Sequence, residues 1–180
     1  MFVPEQRHAL RVLYSRRQIA ARVAELARQI DRDLAGESAL LIGILKGAVI
    51  FLGDLARSLQ SPVALDFVGT SSYAGTASSG EISMIKDVSH PVTGENIILI
   101  EDILDTGYTL DFLARRLASQ QPRSLRIATF LDKPARRVVP VKVDYVGFAI
   151  GDEFVVGYGM DYNEQYRNLP DICALGAPLA

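Results

Sequence analysis

Three carboxylates stand within five residues of one another, at Glu101, Asp102 and Asp105, directly after an apolar stretch. A glycine-containing turn follows them and leads into a predicted helix. Such a turn and helix N-terminus present free N–H donors and the positive end of the helix dipole, which together can bind a phosphate group. Thr106 and Thr109 add hydroxyl donors. Carboxylates do not bind phosphate, but they accept hydrogen bonds from vicinal sugar hydroxyls or help to hold a divalent cation, so the run predicts a site for a ribose 5-phosphate.

Strands and helices alternate along the chain, and this order predicts how the carboxylates are positioned. Continuous apolar runs at 39–45 and 96–100 are typical of strands buried on both faces, as in a parallel sheet covered by helices. Apolar residues at steps of three and four predict an amphipathic helix over 16–34, with a stop at Gly36. The other predicted elements are helices at 48–59 and 109–118 and strands at 63–69, 81–88, 124–131, 143–149 and 153–157.

This alternation predicts an α/β fold with a central, mostly parallel sheet flanked by helices, in a single domain over residues 1–180. Ligands of such folds bind at the carboxyl ends of strands. The segments that follow Leu45, Ile100 and Leu131 are therefore the places where a site is expected. The acidic run follows the second of them.

The composition is that of an ordinary globular protein and argues against several classes of partner. The 180 residues are 49% hydrophobic and 22% charged, with a net charge of −2. Lys and Arg are dispersed, which argues against a nucleic-acid-binding protein with a basic face but allows a small anionic ligand held by local donors. The N-terminus shows no signal-peptide core and no apolar run is long enough to cross a membrane, so we expect a cytoplasmic protein without a membrane partner.

The cysteine and the histidines show no pattern that predicts a disulfide or a metal site. Cys173 is the only cysteine, so it cannot form an internal disulfide, and we interpret it as a small buried hydrophobe. His8 and His90 are the only histidines, and they show no metal-ligand spacing. We interpret both as surface or packing residues.

The acidic run resembles the phosphoribosyl diphosphate signature of the type I phosphoribosyltransferases. In that signature a pair of acids follows a strand, and two apolar residues and Asp-Thr-Gly-x-Thr come next. Tyr108 occupies the variable position, so it would contribute its backbone N–H. The resemblance implies that the ribose 5-phosphate is bound by Glu101, Asp102, Asp105, Thr106, Gly107, Tyr108 and Thr109.

Two further segments resemble loops of the same family. Leu45-Lys46-Gly47-Ala48 resembles the short diphosphate-binding loop, in which the Lys46–Gly47 peptide bond can adopt the cis form and turn a backbone N–H toward the diphosphate. Ser72 and Tyr73 lie in a small, polar stretch between two predicted strands and resemble the flexible lid loop. Closure of that lid would exclude water from the reacting sugar carbon.

Segments nearer the C-terminus narrow the resemblance to the hypoxanthine-guanine phosphoribosyltransferases. They are Asp132-Lys133-Pro134 and residues 152–167. The resemblance implies that Lys133 donates to the 6-oxo oxygen of a purine base and that Phe154 stacks on its ring. Val155 would meet the base through its backbone.

The same resemblance implies the remaining roles. Asp105 would be the general base or acid for N7 of the purine, or would stabilise positive charge there without moving a proton. Asp161 is the second carboxylate of a metal site that includes Glu101 and Asp102, with Mg²⁺ as the implied cofactor. Arg167 would meet the leaving diphosphate of phosphoribosyl diphosphate.

Two alternatives stay open. A regulatory protein on the same fold could bind RNA or a nucleotide, although it would be expected to lack Asp105 and Lys133 and to show a basic face. A phosphoribosyltransferase for xanthine is also possible, because discrimination at the 2-position of the base depends on backbone carbonyls that sequence does not place. The resemblance covers residues 10–172. It implies a small hood formed from about 150–180 with part of the N-terminus, and a homodimer or homotetramer.

Overall fold

A computed structural model describes residues 8–72 and 82–178, which form a six-stranded sheet covered by helices and a smaller three-stranded sheet. The helices of this part of the chain are α1 (Arg16–Leu34), α2 (Val49–Ser58) and α3 (Tyr108–Ala118). The strands are β1 (His8–Tyr14), β2 (Ala39–Leu45), β3 (Val63–Ser72), β4 (Ile82–Lys86), β5 (Asn96–Leu104), β6 (Ser124–Asp132), β7 (Tyr145–Ala149), β8 (Val155–Val156) and β9 (Ile172–Pro178). A 3₁₀ turn at Pro134–Arg136 follows β6.

The local sequence of helix α1 contains the signals that are needed to form it. Ser15 and Gln18 make a capping box, in which each side chain accepts a hydrogen bond from the backbone N–H of the other residue. The buried residues of α1 recur at steps of three and four and pack against the sheet. The chain leaves the helix through two left-handed residues, Ala35 with φ of 51° and Gly36 with φ of 88°, and the predicted bounds are confirmed.

The central sheet is mostly parallel, as predicted. Its strand order is β4-β3-β2-β5-β6-β7, and only the pairing of β3 with β4 is antiparallel. The chain moves outward from β2 to β3 and β4 and then places β5 on the other side of β2. The order therefore reverses between β2 and β5. Ligands of open α/β sheets bind in the crevice beyond the carboxyl ends of two such strands.

Two apolar layers cover the central sheet. Helices α1 and α2 contribute to one layer, and α3 contributes to the other. Alternate residues of β5 fill both layers, with Ile98 and Ile100 on one side and Ile97 and Leu99 on the other. The middle of the sheet is therefore held from both faces, which fixes the positions of the strand ends.

The smaller sheet joins distant parts of the chain in the order β1-β9-β8. β1 pairs antiparallel with β9, from His8 opposite Pro178 to Tyr14 opposite Ile172, and β9 pairs antiparallel with β8. Neither β1 nor β9 is among the predicted elements, since β1 is mostly exposed and β9 contains glycine and proline. We call this sheet, together with residues 150–171, the hood.

Strand β5 is longer than the sequence predicts. It continues to Leu104, so Glu101 and Asp102 lie inside the strand instead of following it. No helix within 8–72 and 82–178 combines the length and the hydropathy that crossing a membrane requires.

The loop after β2 also differs from expectation. Its cis peptide bond joins Leu45 to Lys46, one bond before the Lys46–Gly47 bond that the resemblance implies. For the predicted lid, Ser72 is the last residue of β3, and Tyr73 lies outside the described residues.

Candidate active site

A cavity of about 280 Å³ lies between the ends of β5 and β6 and the hood. Its walls come from four separate segments of the chain, at 102–105, 133–136, 152–155 and 160–161. Six of the predicted site residues line it: Asp102, Asp105, Lys133, Phe154, Val155 and Asp161. The fold thus brings the proposed base-binding, sugar-binding and metal-binding side chains to one place.

The turn from β5 into α3 leaves a set of backbone donors free. Gly107 is the N-cap residue, with a left-handed φ of 94° and no side chain to cap the helix. The N–H of Asp111 donates to the Gly107 carbonyl at 3.0 Å, and this is the first hydrogen bond of the helix. The N–H groups from Gly107 to Leu110 donate to no other residue in the described part of the chain. An uncapped helix N-terminus of this kind is suited to a phosphate group.

The segment after β6 packs tightly against this turn. The N–H groups of Val138 and Val139 both donate to the Thr106 carbonyl at 2.9 Å. A Cβ added to Gly107 would lie only 2.4 Å from the Val139 carbonyl oxygen. Both the close approach and the left-handed backbone therefore require glycine at this position.

Glu101 and Asp102 lie side by side near the end of β5. Glu101 is only 8% exposed. Burial, and next the charge of Asp102, raises the pKa of Glu101 well above its ordinary value. Burial also raises the pKa of Asp102, although the hydrogen bond with the Glu101 side chain opposes this. The two carboxyl groups are therefore harder to ionise together than two isolated ones, and a nearby cation would favour their ionised forms.

Two glycines allow the loop after β2 to pack closely between Asp102 and the hood. A Cβ added to Gly47 would lie 1.7 Å from Asp102 Oδ2, and a Cβ added to Gly159 would lie 2.1 Å from the Gly47 carbonyl oxygen. Gly159 also has a left-handed φ of 102°. The loop after β2 is therefore stacked between the acidic strand end and the hood, with no space for a side chain at either glycine.

Lys133 and Phe154 form the part of the wall that could receive a base. Lys133 is only 6% exposed, yet its ammonium makes no hydrogen bond or ion pair with any residue of 8–72 or 82–178. Its backbone N–H donates to the Leu104 carbonyl at 2.9 Å, which ties the residue to the end of β5. Phe154 is 52% exposed and Val155 is buried. Among the described residues only Arg167 Nε is a fully buried side-chain donor without a partner, so the Lys133 ammonium is open to the cavity and can donate to a polar acceptor there.

A chain of ion pairs connects the loop after β2 with the hood. Lys46 Nζ lies 2.9 Å from Glu164 Oε1, and the Arg167 guanidinium lies 3.3 Å from Glu164 Oε2 and 2.8 Å from Asp161 Oδ1. Arg167 also donates to the Gly159 carbonyl at 2.8 Å, while its Nε is buried without a partner in the described part of the chain. Cationic donors at the rim of the cavity are suited to a polyanionic group.

Comparison with protein families decides what kind of protein carries this site. The family profile described as the phosphoribosyl transferase domain matches residues 11–163, which include all the residues that line the cavity. The chain belongs to the phosphoribosyl transferase family. It is an enzyme, a transferase, and the predicted type I phosphoribosyltransferase fold is confirmed.

Named relatives of this phosphoribosyltransferase cover nearly its whole length. It is 45% identical over 166 residues to the hypoxanthine-guanine phosphoribosyltransferase of Streptococcus mutans, with 92% of each chain covered. It is 47% identical over 171 residues to that of Mycobacterium avium, with 91% of this chain and 84% of the relative covered. A crystal structure of a hypoxanthine-guanine phosphoribosyltransferase from Bacillus anthracis, with HEPES in its active site, matches with a TM-score of 0.89 at 42% identity, covering 94% of this chain and 99% of that one.

Arg136 lines the candidate site, and the sequence analysis does not single it out. Its Nε donates to Asp105 Oδ1 at 2.7 Å, and its NH1 donates to Asp152 Oδ1 at 3.1 Å. All three residues line the cavity. In the sequence, two arginines in a turn after a proline are typical of a solvated surface, so no local signal marks this position.

The other predicted residues of the phosphoribosyltransferase site surround the cavity without lining it. Glu101 adjoins Asp102, the segment 106–109 leads from β5 into α3, and three further residues belong to the stacked loop and the ion-pair chain: Lys46, Gly47 and Arg167. The predicted lid residue Ser72 ends β3 and does not line the cavity either. A larger cavity, of about 590 Å³, lies at the amino ends of β2 and β3 and contains none of the predicted residues. We assign the site to the smaller cavity, because Lys133 and the predicted aspartates line it and the free donors of 107–110 come just after Asp105.

Proposed function

We propose that this enzyme transfers the ribose 5-phosphate of phosphoribosyl diphosphate to a 6-oxopurine, hypoxanthine or guanine, and releases diphosphate, with Mg²⁺ bound. The observation that carries the proposal is the position of Lys133. Its side chain is buried, and its ammonium, which has no partner within 8–72 or 82–178, opens onto one cavity with Asp102 and Asp105. One cavity therefore offers a donor for an oxo group of the base and acceptors for a sugar.

The base would be recognised by Lys133 and Phe154. The 6-oxo oxygen of hypoxanthine or guanine would accept a hydrogen bond from the Lys133 ammonium. The 6-amino group of adenine would face the ammonium as a second donor and would offer it no acceptor, which disfavours adenine. The half-exposed ring of Phe154 would stack on the purine.

The ribose 5-phosphate would lie between the start of α3 and the end of β5. The free N–H groups from Gly107 to Leu110 would donate to the phosphate, and the hydroxyls of Thr106 and Thr109 would add to them. The carboxyl groups at the end of β5 would accept hydrogen bonds from the ribose hydroxyls.

Asp105 would act on N7 of the base. Arg136 donates to its Oδ1, whereas Oδ2 accepts no hydrogen bond from the described residues. As diphosphate leaves, the sugar carbon gains oxocarbenium character and a base nitrogen captures it. Positive charge then grows on the base, and the Asp105 carboxylate would stabilise that charge or remove the N7 proton.

Asp102 and Asp161 would hold the magnesium ion, with Glu101 adjoining Asp102. Both aspartates line the cavity, and Mg²⁺ usually takes one or two protein carboxylates and completes its shell with phosphate oxygens and water. No group of three or more Asp, Glu, His or Cys side chains in 8–72 and 82–178 is arranged to hold a metal alone, so the substrate would supply the other ligands. When bound, the ion would neutralise charge on the departing diphosphate.

A panel of bases tests the proposal. The protein is incubated with phosphoribosyl diphosphate, Mg²⁺ and one base, and nucleotide formation is measured. We expect hypoxanthine or guanine to be converted, and adenine and uracil to be left unchanged. Lys133→Met keeps the length of the side chain and should lower kcat/KM for the 6-oxopurine by about 10- to 100-fold, because a hydrogen bond to a charged donor is lost. Conversion of adenine as fast as hypoxanthine would contradict the proposal.

Xanthine and RNA complete the panel. The cavity is lined by four carboxylates and two cations, and the xanthine anion should therefore bind less well than a neutral base. A kcat/KM for xanthine above those for hypoxanthine and guanine would identify xanthine as the preferred substrate. Salt-dependent RNA binding without nucleotide formation would instead favour the regulatory alternative.

A further inference from the structure

Glu164 in the hood lies between the two cations that the diphosphate is expected to meet. Its carboxylate oxygens are divided between them, with Oε1 2.9 Å from Lys46 Nζ and Oε2 3.3 Å from the Arg167 guanidinium. Lys46 belongs to the loop after β2, whereas Glu164 and Arg167 belong to the hood. One carboxylate therefore bridges the two sides of the cavity rim.

The backbone holds Glu164 in this position. Asn163 and Glu164 both take left-handed φ values, of 51° and 61°. Tyr162 and Gln165 exchange backbone hydrogen bonds of 3.2 and 3.0 Å around them. The N–H of Glu164 also donates to Asp161 Oδ2 at 2.9 Å. A tight turn thus presents the carboxylate to the two cations, which distinguishes it from a freely rotating surface side chain.

The charges in this cluster are balanced before any ligand binds. Lys46 and Arg167 are matched by Glu164 and Asp161. Glu164 accepts a hydrogen bond from each of the two cations. A diphosphate group would need the same donors that this carboxylate already uses.

We propose that Glu164 is an internal competitor of the diphosphate, holding the donors of Lys46 and Arg167 until the diphosphate group displaces it. The identity of the anion rests on the function proposed above. The residue thereby sets how tightly diphosphate is held and how readily it departs. If Glu164 instead positioned the two cations for the ligand, removal of its carboxylate would weaken diphosphate binding.

The solvent exposure of the Lys46–Glu164 ion pair indicates how much diphosphate binding should change when the pair is removed. The side chains of Lys46 and Glu164 are 64% and 44% exposed. Exposed ion pairs are weak and are screened by solvent, so a ligand can displace this one. Removal of the competing charge should therefore strengthen diphosphate binding by about 3- to 10-fold.

Glu164→Gln removes the charge and keeps the size of the side chain. Inorganic diphosphate is titrated calorimetrically into the full-length protein in Mg²⁺ buffer, and its Kd should fall by about 3- to 10-fold. The Kd of the nucleoside 5′-monophosphate, which lacks the diphosphate, should not change. Glu37→Gln is the matched control, because Glu37 pairs with Arg123 at 3.1 Å before the start of β2, at the opposite end of that strand from Lys46.

A second variant separates the outcomes. Glu164→Ala should also tighten diphosphate binding, and thermal unfolding shows that both variants are folded. Unchanged or weaker diphosphate binding in both variants overturns the inference. If the wild-type protein forms nucleotide while the variants show no tightening, only this inference fails. If the wild-type protein neither binds diphosphate nor forms nucleotide, the proposed function fails as well.

Discussion

The Arg136 side chain joins Asp105, in the turn after β5, to Asp152 in the hood. Its hydrogen bonds to Asp105 and Asp152, at 2.7 and 3.1 Å, raise the pKa of the guanidinium above its ordinary value, so its positive charge is permanent. Because the arginine holds one oxygen of Asp105, the other oxygen is the one left to meet a substrate. The role proposed for Asp105 therefore depends on a residue 31 positions away in the sequence.

Asp105→Ala should separate catalysis from binding. Loss of an acid–base or charge-stabilising group typically lowers turnover by about 10²- to 10⁴-fold. Lys133 and the amides proposed to bind phosphate are untouched, so the Kd of the nucleoside 5′-monophosphate should change far less than kcat. Steady-state kinetics and calorimetry of the same preparation measure both. Equal losses in turnover and nucleotide affinity would remove the catalytic role proposed for Asp105.

At the scale of residues, the motif side chains are predictable from the sequence and their partners are not. Asp105 and Lys133 belong to short runs that resemble a family signature, and the structure places both in one cavity. Arg136 and Glu164 make their contacts over separations of 31 and 118 residues. Local patterns do not encode such contacts, since they arise only when the sheet and the hood are assembled.

At the scale of elements, the loop after β2 is limited by the space beside β5. Gly47→Ala would place a Cβ 1.7 Å from Asp102 Oδ2, so the loop or the carboxylate must move. A displacement of about 1 Å at a reacting site can lower the rate about 100-fold, and we expect a loss of this order in kcat/KM. The assay is nucleotide formation with saturating base and varied phosphoribosyl diphosphate.

Gly53→Ala is the matched control, in helix α2 directly after this loop. A Cβ added to Gly53 meets nothing within 4 Å. Alanine in a helix interior is more stable than glycine by about 0.5–1 kcal/mol, so this variant should unfold at a higher temperature and keep full activity. A loss of activity here comparable to that of Gly47→Ala would mean that the close contact with Asp102 is not the cause.

Elements differ in how much of their structure their own sequence determines. α1 is predicted with its bounds because its apolar period and its cap are both local. β5 is predicted too short, because the apolar run ends at Ile100 and two adjacent carboxylates are unusual inside a buried strand. β1 and β9 are missed because each is defined mainly by pairing with a distant strand.

At the scale of the whole molecule, Asp66 couples stability to pH. Burial alone would raise its pKa, but hydrogen bonds from the N–H groups of Ser89 and Phe67 and from Lys86 outweigh burial and lower the pKa from 3.8 to about 2. Because the folded pKa is below the unfolded one, ionised Asp66 stabilises the fold above about pH 5, by about 2 kcal/mol. This contribution is lost as the pH falls from about 5 toward 2.

Asp66→Asn should therefore lower the free energy of unfolding at pH 7 by about 2 kcal/mol, with the difference from the wild type shrinking below about pH 4. Urea unfolding at a series of pH values measures both quantities. Glu25→Gln is the control, since Glu25 forms an exposed pair with Arg22 at 2.6 Å and should change stability by less than about 0.5 kcal/mol. A difference that is constant from pH 7 to pH 3 would contradict the assignment to Asp66.

The pairing of β1 with β9 has a consequence for the nascent chain. β1 leaves the ribosome first among the described strands, and β9 leaves last. At 5–20 residues per second, the separation between them corresponds to roughly 10–30 s of translation. During this interval β1 lacks its partner β9 and presents Leu10 and Val12. Unpaired strands of this kind can pair with the wrong partner. The strands of the six-stranded sheet are all made before β9, so the hood is completed only after the sheet that it covers.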